Sequence, residues 1–158
     1  MLNHTKLTLA ILFGIFAAVG GMAGCGSCGC PDLETPQLQA ESLSRVKKVA
    51  LATLLYLQDY DTVYPTMPDA GTTRNLLFPY IKSNAVFIDP ISNAPFVFNA
   101  WFSGKDQNKL PNEAFTFAMI YDPDLKVSGK WPVAFPDGHG VLLLQSEWLV
   151  LKSKSHIP

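Results

Sequence analysis

Residues 36–60, PQLQAESLSRVKKVALATLLYLQDY, decide the fold because they carry the longest helical periodicity in the chain. Thr35 supplies an N-cap hydroxyl, and Pro36 suits the first helical position, where a missing N–H costs nothing. Apolar side chains then recur at spacings of three and four, which places them on one helix face: Leu43, Val46, Ala50, Leu54 and Leu57. Val49, Leu51 and Leu55 widen that apolar surface. We expect the core of the domain to form against this helix.

Shorter elements follow this helix and complete the predicted architecture. Thr73–Lys82 predicts a second helix, although Pro79 is a potential break. Runs rich in Val, Ile and Phe, separated by Pro, Gly, Asn and Asp, then predict strands: Ala85–Ile88, Phe96–Phe102, Phe115–Tyr121, Trp131–Phe135 and Val141–Leu144. Asp137-Gly138 predicts a tight hairpin turn, and Ser146–Ser153 is either a last helix or a last strand. This order predicts an α+β fold, with a long N-terminal helix packed on a small antiparallel β-sheet.

The first thirty residues have the organisation of an export signal. Lys6 gives a positive charge, Leu7–Gly24 contains no charged residue, and Met22-Ala23-Gly24-Cys25 is similar to a bacterial lipobox, in which the cysteine is lipidated. We therefore expect a lipoprotein signal peptide at 1–24 and lipidation of Cys25. Ordinary cleavage before Gly24, or a retained membrane anchor near the minimal length for a span, are the alternatives.

This N-terminus predicts a location in the bacterial cell envelope, membrane-anchored and facing the periplasm or the exterior. A flexible Cys/Gly linker at 25–35 would then lead into a globular domain at 36–158. All three cysteines, Cys25, Cys28 and Cys30, precede that domain, which is therefore expected to fold without disulfides. Three thiolates lack the fourth ligand of a zinc site, so a metal there is not favoured. Pairing of Cys28 with Cys30 remains open.

Composition argues against a nucleic-acid partner. The chain has 12 Lys and Arg against 13 Asp and Glu, and it has no basic stripe. The remaining partners are the membrane, reached through the lipid anchor, and a protein of the envelope.

Several segments of the domain resemble the pseudopilin-like, prepilin-type proteins related to type II secretion. The resemblance lies in the residues of these segments and in their order along the chain: Val46–Ala52, Tyr56–Asp61, Tyr64-Pro65, Leu77–Lys82, Val86–Pro90 and Ala134–His139. It implies the helix-and-sheet fold of that family, with Asp89 at a position where a cysteine is common. Prepilin-type proteins also retain an apolar helix with a glutamate five residues into it. Leu7–Gly24 has no acidic residue, so the resemblance implies the globular fold more than filament assembly.

Few residues of the domain are candidates for catalysis or metal binding. His139 beside Asp137 could form an acid–base pair, but a predicted hairpin tip favours ordinary solvated turn residues. His156 is expected to be frayed near the end of the chain. The Gly-x-Ser-x-Gly, Walker-type and His-Glu-x-x-His motifs do not occur. Asp122, Asp124 and Asp137 offer hard oxygen ligands in turns, which suit calcium. Some secretion pseudopilins bind calcium in this region, whereas the alternative for Asp122–Asp124 is a simple turn.

These patterns predict a lipid-anchored envelope protein with a non-catalytic structural or interaction role, associated with secretion or pilus-like machinery. A ligand-binding or surface-recognition lipoprotein is the alternative, and an enzyme with an unrecognised site comes third. No cofactor is expected apart from the calcium considered above. The aromatic residues between Phe96 and Phe117 are expected to form core against the long helix.

Overall fold

The computed structural model describes residues 36–124 and 130–158. Within these ranges the chain forms three α-helices: α1 (Pro36–Asp59), α2 (Ala70–Ile81) and α3 (Gln145–Lys154). It also forms four strands: β1 (Val97–Phe98), β2 (Ile120–Tyr121), β3 (Lys130–Ala134) and β4 (Gly140–Leu144). Three helices and an antiparallel sheet confirm the predicted α+β class. The predicted signal peptide and linker, 1–35, lie outside the described residues.

The sheet has the order β1-β2-β3-β4, and every neighbouring pair is antiparallel. The predicted hairpin between β3 and β4 is confirmed: the Gly138 N–H donates to the Phe135 carbonyl at 2.9 Å, and Gly138 has a φ of +86°. This tip lies against α1, because a Cβ on Gly138 would sit 3.0 Å from Leu54 Cδ1. A glycine is therefore required there by both the backbone conformation and the close approach.

Helix α1 is buried along the face that the periodicity predicted. Val46, Val49 and Ala50 are 0 % exposed, and the helix contacts α2 on one side and β2, β3 and β4 on the other. Leu51 and Leu55 depart from the prediction, since they remain 52 % and 44 % exposed. Among the described residues, no helix has the length and apolar character needed to cross a membrane.

The predicted strands between 85 and 121 are mostly wrong. Residues Asn84–Phe87 form a 3₁₀ turn, and only Ile88 makes an isolated bridge, to Pro95. Phe96–Phe102 is a strand only at β1, because the Asn99 side chain accepts a hydrogen bond from the Trp101 N–H at 3.0 Å and caps a 3₁₀ turn. Local capping by an asparagine side chain thus ends the strand that its Phe-rich composition predicts.

The remaining elements differ less from the prediction. Of the predicted strand Phe115–Tyr121, only β2 is extended, because a 3₁₀ turn occupies Asn112–Thr116. Helix α2 begins three residues early, since Asp69 accepts from the Thr72 N–H at 2.7 Å as its N-cap. Pro79 lies inside α2 near its end and does not break it. The segment left open as helix or strand belongs to α3.

Buried hydrogen bonds hold the C-terminal segment against the sheet. Asn99 Nδ2 donates to the carbonyls of Ala118 and Ser155 at 2.8 and 2.9 Å, and the Ala118 N–H donates to Ser155 Oγ at 2.8 Å. The His156 ring stacks on Trp101 with centroids 5.9 Å apart. The expectation of a frayed His156 is therefore wrong, because buried hydrogen bonds and ring contacts fix this end.

We expect Ser155→Ala to lower the free energy of unfolding by about 1–3 kcal/mol, since it leaves the buried Ala118 N–H without an acceptor. Denaturant unfolding followed by circular dichroism measures the loss. Ser153→Ala, at an exposed position on the same helix, is the matched control and should change stability little. Equal effects of the two substitutions would show that the hydrogen bond to Ser155 Oγ does not stabilise the domain.

Candidate functional site

The sequence-predicted site residues lie in different surroundings. Cys25 is outside the described residues. Asp122 is fully buried at the end of β2, whereas Asp124 and Asp137 are exposed. Within 36–124 and 130–158, no three His, Cys, Asp or Glu side chains form a group that could hold a metal ion. The structure instead places Asp122 beside a second buried carboxylate, Asp89, and this acidic pair is the most unusual polar feature of the domain.

Asp89 is held by hydrogen bonds from two other parts of the chain. Its Oδ2 accepts from Ser42 Oγ of α1 at 3.0 Å, and its Oδ1 accepts from the Ile91 N–H at 2.9 Å. The Asp89 backbone also pairs with Ala94 and Asn93, which closes a tight turn before β1. Asp89 therefore links the turn to α1 while it is fully buried.

Asp122 is less well satisfied than Asp89. Its Oδ1 accepts from the Asp124 N–H at 2.8 Å, but its Oδ2 is buried without a hydrogen-bond partner. Burial raises the pKa of Asp122 to about 6, with a further raising contribution from the nearby Asp89 carboxylate included in that value and with Ser92 and the Asp124 N–H acting in the opposite direction. Ser92 and Asp89 thus lie close to Asp122 without giving its Oδ2 a well-aligned bond.

The repulsion between two adjacent buried carboxylates is relieved in one of two ways. They share a proton, so that one acid donates to the other, or they accept a cation between them. The sequence pattern singles out Asp122 as a candidate metal ligand but does not indicate Asp89 as its neighbour. The available signal was an aspartate directly after the apolar run Val86–Ile88 and before Pro90, a placement that buries the side chain.

The Asp137–His139 pair sits where the hairpin prediction put it. His139 Nδ1 lies 2.5 Å from Asp137 Oδ1, and the two side chains are 51 % and 54 % exposed. Burial raises the pKa of Asp137, but hydrogen bonds from the His139 backbone and ring outweigh that effect and lower it overall. The His139 ring also stacks on Phe135, with centroids 4.3 Å apart. These contacts order the exposed hairpin tip.

An apolar groove runs between α1 and α2, with a volume of about 450 Å³. We call it the α1–α2 groove, and its lining is mostly aliphatic with polar groups at the rim: Leu51, Ala52, Leu55, Ile81 and Val86, with Lys48, Tyr80 and Ser83. The Tyr80 hydroxyl donates to Asp59 Oδ2 at 2.8 Å, which fixes one end of the groove. Pockets of this size and apolar character are typical of ligand or partner sites.

A second, smaller cavity of about 260 Å³ lies beside Trp101. Lys105 Nζ sits 3.1 Å from the centre of the indole, on which the His156 ring also stacks. Burial lowers the pKa of Lys105. The close ammonium–indole contact is a cation–π interaction, and it accounts for the position of Lys105 without a ligand.

We expect Asp122→Asn to make the protein more stable at pH 7 and to flatten its pH dependence. The folded pKa of Asp122, about 6, exceeds the unfolded value of 3.8, so the native state binds more protons between these values. Stability is therefore lost as pH rises from about 4 to 6, by at most roughly 3 kcal/mol. Urea unfolding in EDTA from pH 4 to 8 measures the slope.

The matched control is Asp61→Asn, an exposed position with a φ of +50° that asparagine tolerates. This variant should keep the pH profile of the parent protein. A pH slope that is the same in Asp122→Asn and in the parent protein would show that Asp122 ionises in the fold as it does in water.

Comparison with protein-family models, with curated proteins and with solved structures gives no match to this chain.

Proposed function

We propose that this chain is a lipid-anchored protein of the bacterial cell envelope whose folded domain has a non-catalytic structural or interaction role. The observation that carries the proposal is Met22-Ala23-Gly24-Cys25 directly after the uncharged segment Leu7–Gly24. Small residues before a cysteine, at the end of an apolar stretch, are what cleavage and lipidation at Cys25 require. The domain would then be tethered through residues 25–35, facing the periplasm or the exterior.

The fold supports a finer proposal, a pseudopilin-like domain. A 24-residue helix precedes a four-stranded antiparallel sheet, and the Asp137-Gly138 hairpin packs back onto that helix. We infer association with secretion or pilus-like machinery as an accessory protein. Because Leu7–Gly24 has no glutamate, we do not assign the chain a role as a polymerising subunit.

A non-catalytic role agrees with the surroundings of the domain's two histidines. His139 is exposed at a hairpin tip, where water competes for any proton it would move. The His156 ring is engaged by Trp101 and Phe117, with centroids 5.9 and 5.5 Å away. Neither histidine is paired with a nucleophile, in the described part of the chain, in the way that acid–base catalysis needs.

The α1–α2 groove favours the alternative function, a ligand-binding lipoprotein. Its aliphatic lining suits an apolar body, and Lys48 and Ser83 at the rim suit a polar or anionic head. Lipid extraction of the purified protein followed by mass spectrometry distinguishes the two functions. A stoichiometric apolar molecule would support the ligand-binding function.

Calcium binding forms a separate part of the proposal, centred on Asp122. The buried, unpartnered Oδ2 of Asp122 would accept a hard cation, and Asp89 would supply a second carboxylate close by. The exposed Asp124 and Asp137 are the ligands that the sequence pattern suggests. At neutral pH a divalent ion would offset the repulsion between the two buried carboxylates.

We expect calcium at pH 7.5 to raise the melting temperature of the parent protein but not that of Asp122→Asn. Differential scanning calorimetry with EDTA and with millimolar calcium measures the shift. Asp89→Asn and Asp137→Asn identify the ligands, because only substitution of a true ligand removes the shift. No shift in the parent protein would contradict calcium binding.

We expect Cys25→Ser to lose the diacylglyceryl mass at the mature N-terminus and to leave the membrane fraction. Mass spectrometry of the N-terminal peptide and cell fractionation provide the two measurements. Cys28→Ser removes a neighbouring thiol without removing the lipobox cysteine, so it should stay modified and membrane-bound. A Cys25→Ser protein that is processed and still firmly membrane-bound would contradict the lipid-anchor proposal.

A further inference from the structure

One face of α1 carries exposed leucines between two opposite charges. Lys48, Leu51, Ala52, Leu55 and Asp59 lie within an arc of about 100° around the helix axis, given 3.6 residues per turn. We call these five residues the α1 stripe. Leu51 and Leu55 are 52 % and 44 % exposed, although both belong to the helix around which the core forms. Two adjacent exposed leucines on one face are typical of a contact surface.

The two charged residues of the α1 stripe make few electrostatic contacts within the domain. In the described residues Lys48 forms no ion pair, and its side chain is exposed. Asp59 accepts one hydrogen bond, from the Tyr80 hydroxyl, and is itself exposed. Lys48 lies at the middle of the helix and Asp59 at its C-terminal end. The stripe is therefore positive at one end, apolar in the middle and negative at the other end.

We propose that the α1 stripe binds the same stripe of a second copy in an antiparallel, two-fold symmetric dimer. A two-fold axis crossing the helix between residues 53 and 54 pairs Lys48 with Asp59 of the partner copy. The same axis places Leu55 opposite Ala52 of the partner copy. Every contact then occurs twice, as in any isologous interface.

The shapes of the side chains fit this register. Ala52 is small and 2 % exposed at the floor of the α1–α2 groove, so it leaves space for a leucine from outside. Leu55 of each copy would enter that space above Ala52, between the lining residues Leu51 and Ile81. A large side chain over a small one lets two helices approach closely.

Charge complementarity selects a second copy in this orientation. In a parallel pair in register, Lys48 would face Lys48 and Asp59 would face Asp59, so like charges would oppose each other. In the antiparallel pair both charges meet opposites. A single chain thus carries both halves of the contact, which a surface for an unrelated partner does not need.

The contact is modest in size, because one helix face and the rim of a groove contribute to it. Such interfaces lie at the low end of the range for specific complexes, so we expect a weak dimer in solution. Confinement of both copies to one surface would raise their effective concentration. The dimer itself does not depend on lipidation of Cys25, so the two proposals fail separately.

Sedimentation velocity of the full purified chain in detergent, over a range of protein concentrations, tests the dimer. We expect a concentration-dependent monomer–dimer equilibrium for the parent protein. K48D and D59K should each raise the dimer dissociation constant about tenfold, since each creates two repulsive pairs. The double variant K48D/D59K restores opposite charges and should return the constant to within about twofold of the parent value.

Three controls make the outcome specific. K154D changes an exposed lysine on α3 and should leave the dimer unchanged. Y80F removes the hydroxyl that Asp59 accepts from, which separates that bond from the effect of D59K. L55E should give a monomer with an unchanged melting temperature, because Leu55 is exposed in the monomer.

A parent protein that stays monomeric at every concentration would overturn the proposal. So would a double variant no better than the single ones, because the antiparallel register predicts its recovery. Weakening by K154D equal to that by K48D would also overturn it, since the effect would then be one of net charge. Capture of a different protein through an intact α1 stripe by a monomeric chain would assign the surface to that partner instead.

Discussion

The close packing of helix α1 against the β3–β4 hairpin is the constraint on which the rest of the domain depends. Two glycines make it possible. A Cβ on Gly140 would lie 2.8 Å from Lys47 Cγ, and one on Gly138 would lie 3.0 Å from Leu54 Cδ1. With the hairpin seated on α1, one helix face is fully buried, and α2 and the acidic turn at Asp89 occupy the other side. The groove and the stripe are what this packing leaves uncovered.

The local features of this arrangement could be predicted from the sequence. The periodicity of residues 36–60 located α1, and Asp137-Gly138 located the hairpin, because both signals depend on neighbouring residues. Strand lengths between 85 and 121 were wrong since single side chains redirect the backbone there. Asn99 caps a 3₁₀ turn by accepting from the Trp101 N–H at 3.0 Å. The Phe-rich composition of residues 96–102 favours a strand there and gives no sign of this bond.

The features that matter most for the candidate site could not be predicted, because they join distant parts of the chain. Asp89 accepts a hydrogen bond from Ser42 of α1 and neighbours Asp122, which follows β2, and the Asn99 side chain donates to the carbonyl of Ser155. Each contact depends on the tertiary fold and leaves no periodic trace in the sequence. The calcium prediction illustrates the difference: it identified Asp122 from a turn motif but grouped it with residues nearer in sequence. The structure gives Asp122 a partner that no spacing rule would have chosen.

The positions of the tryptophans make them spectroscopic probes of two regions of this domain. Trp101 contacts both the Lys105 ammonium and the His156 imidazole, so its emission should respond to the docking of the chain's last residues. Trp131 and Trp148 stack with centroids 6.3 Å apart and rings inclined by 12°, which couples their electronic transitions. Near-ultraviolet circular dichroism would therefore follow the seating of α3 on the sheet, while the Trp101 contribution to the fluorescence follows the C-terminal segment. The native chain thus carries two intrinsic optical reporters.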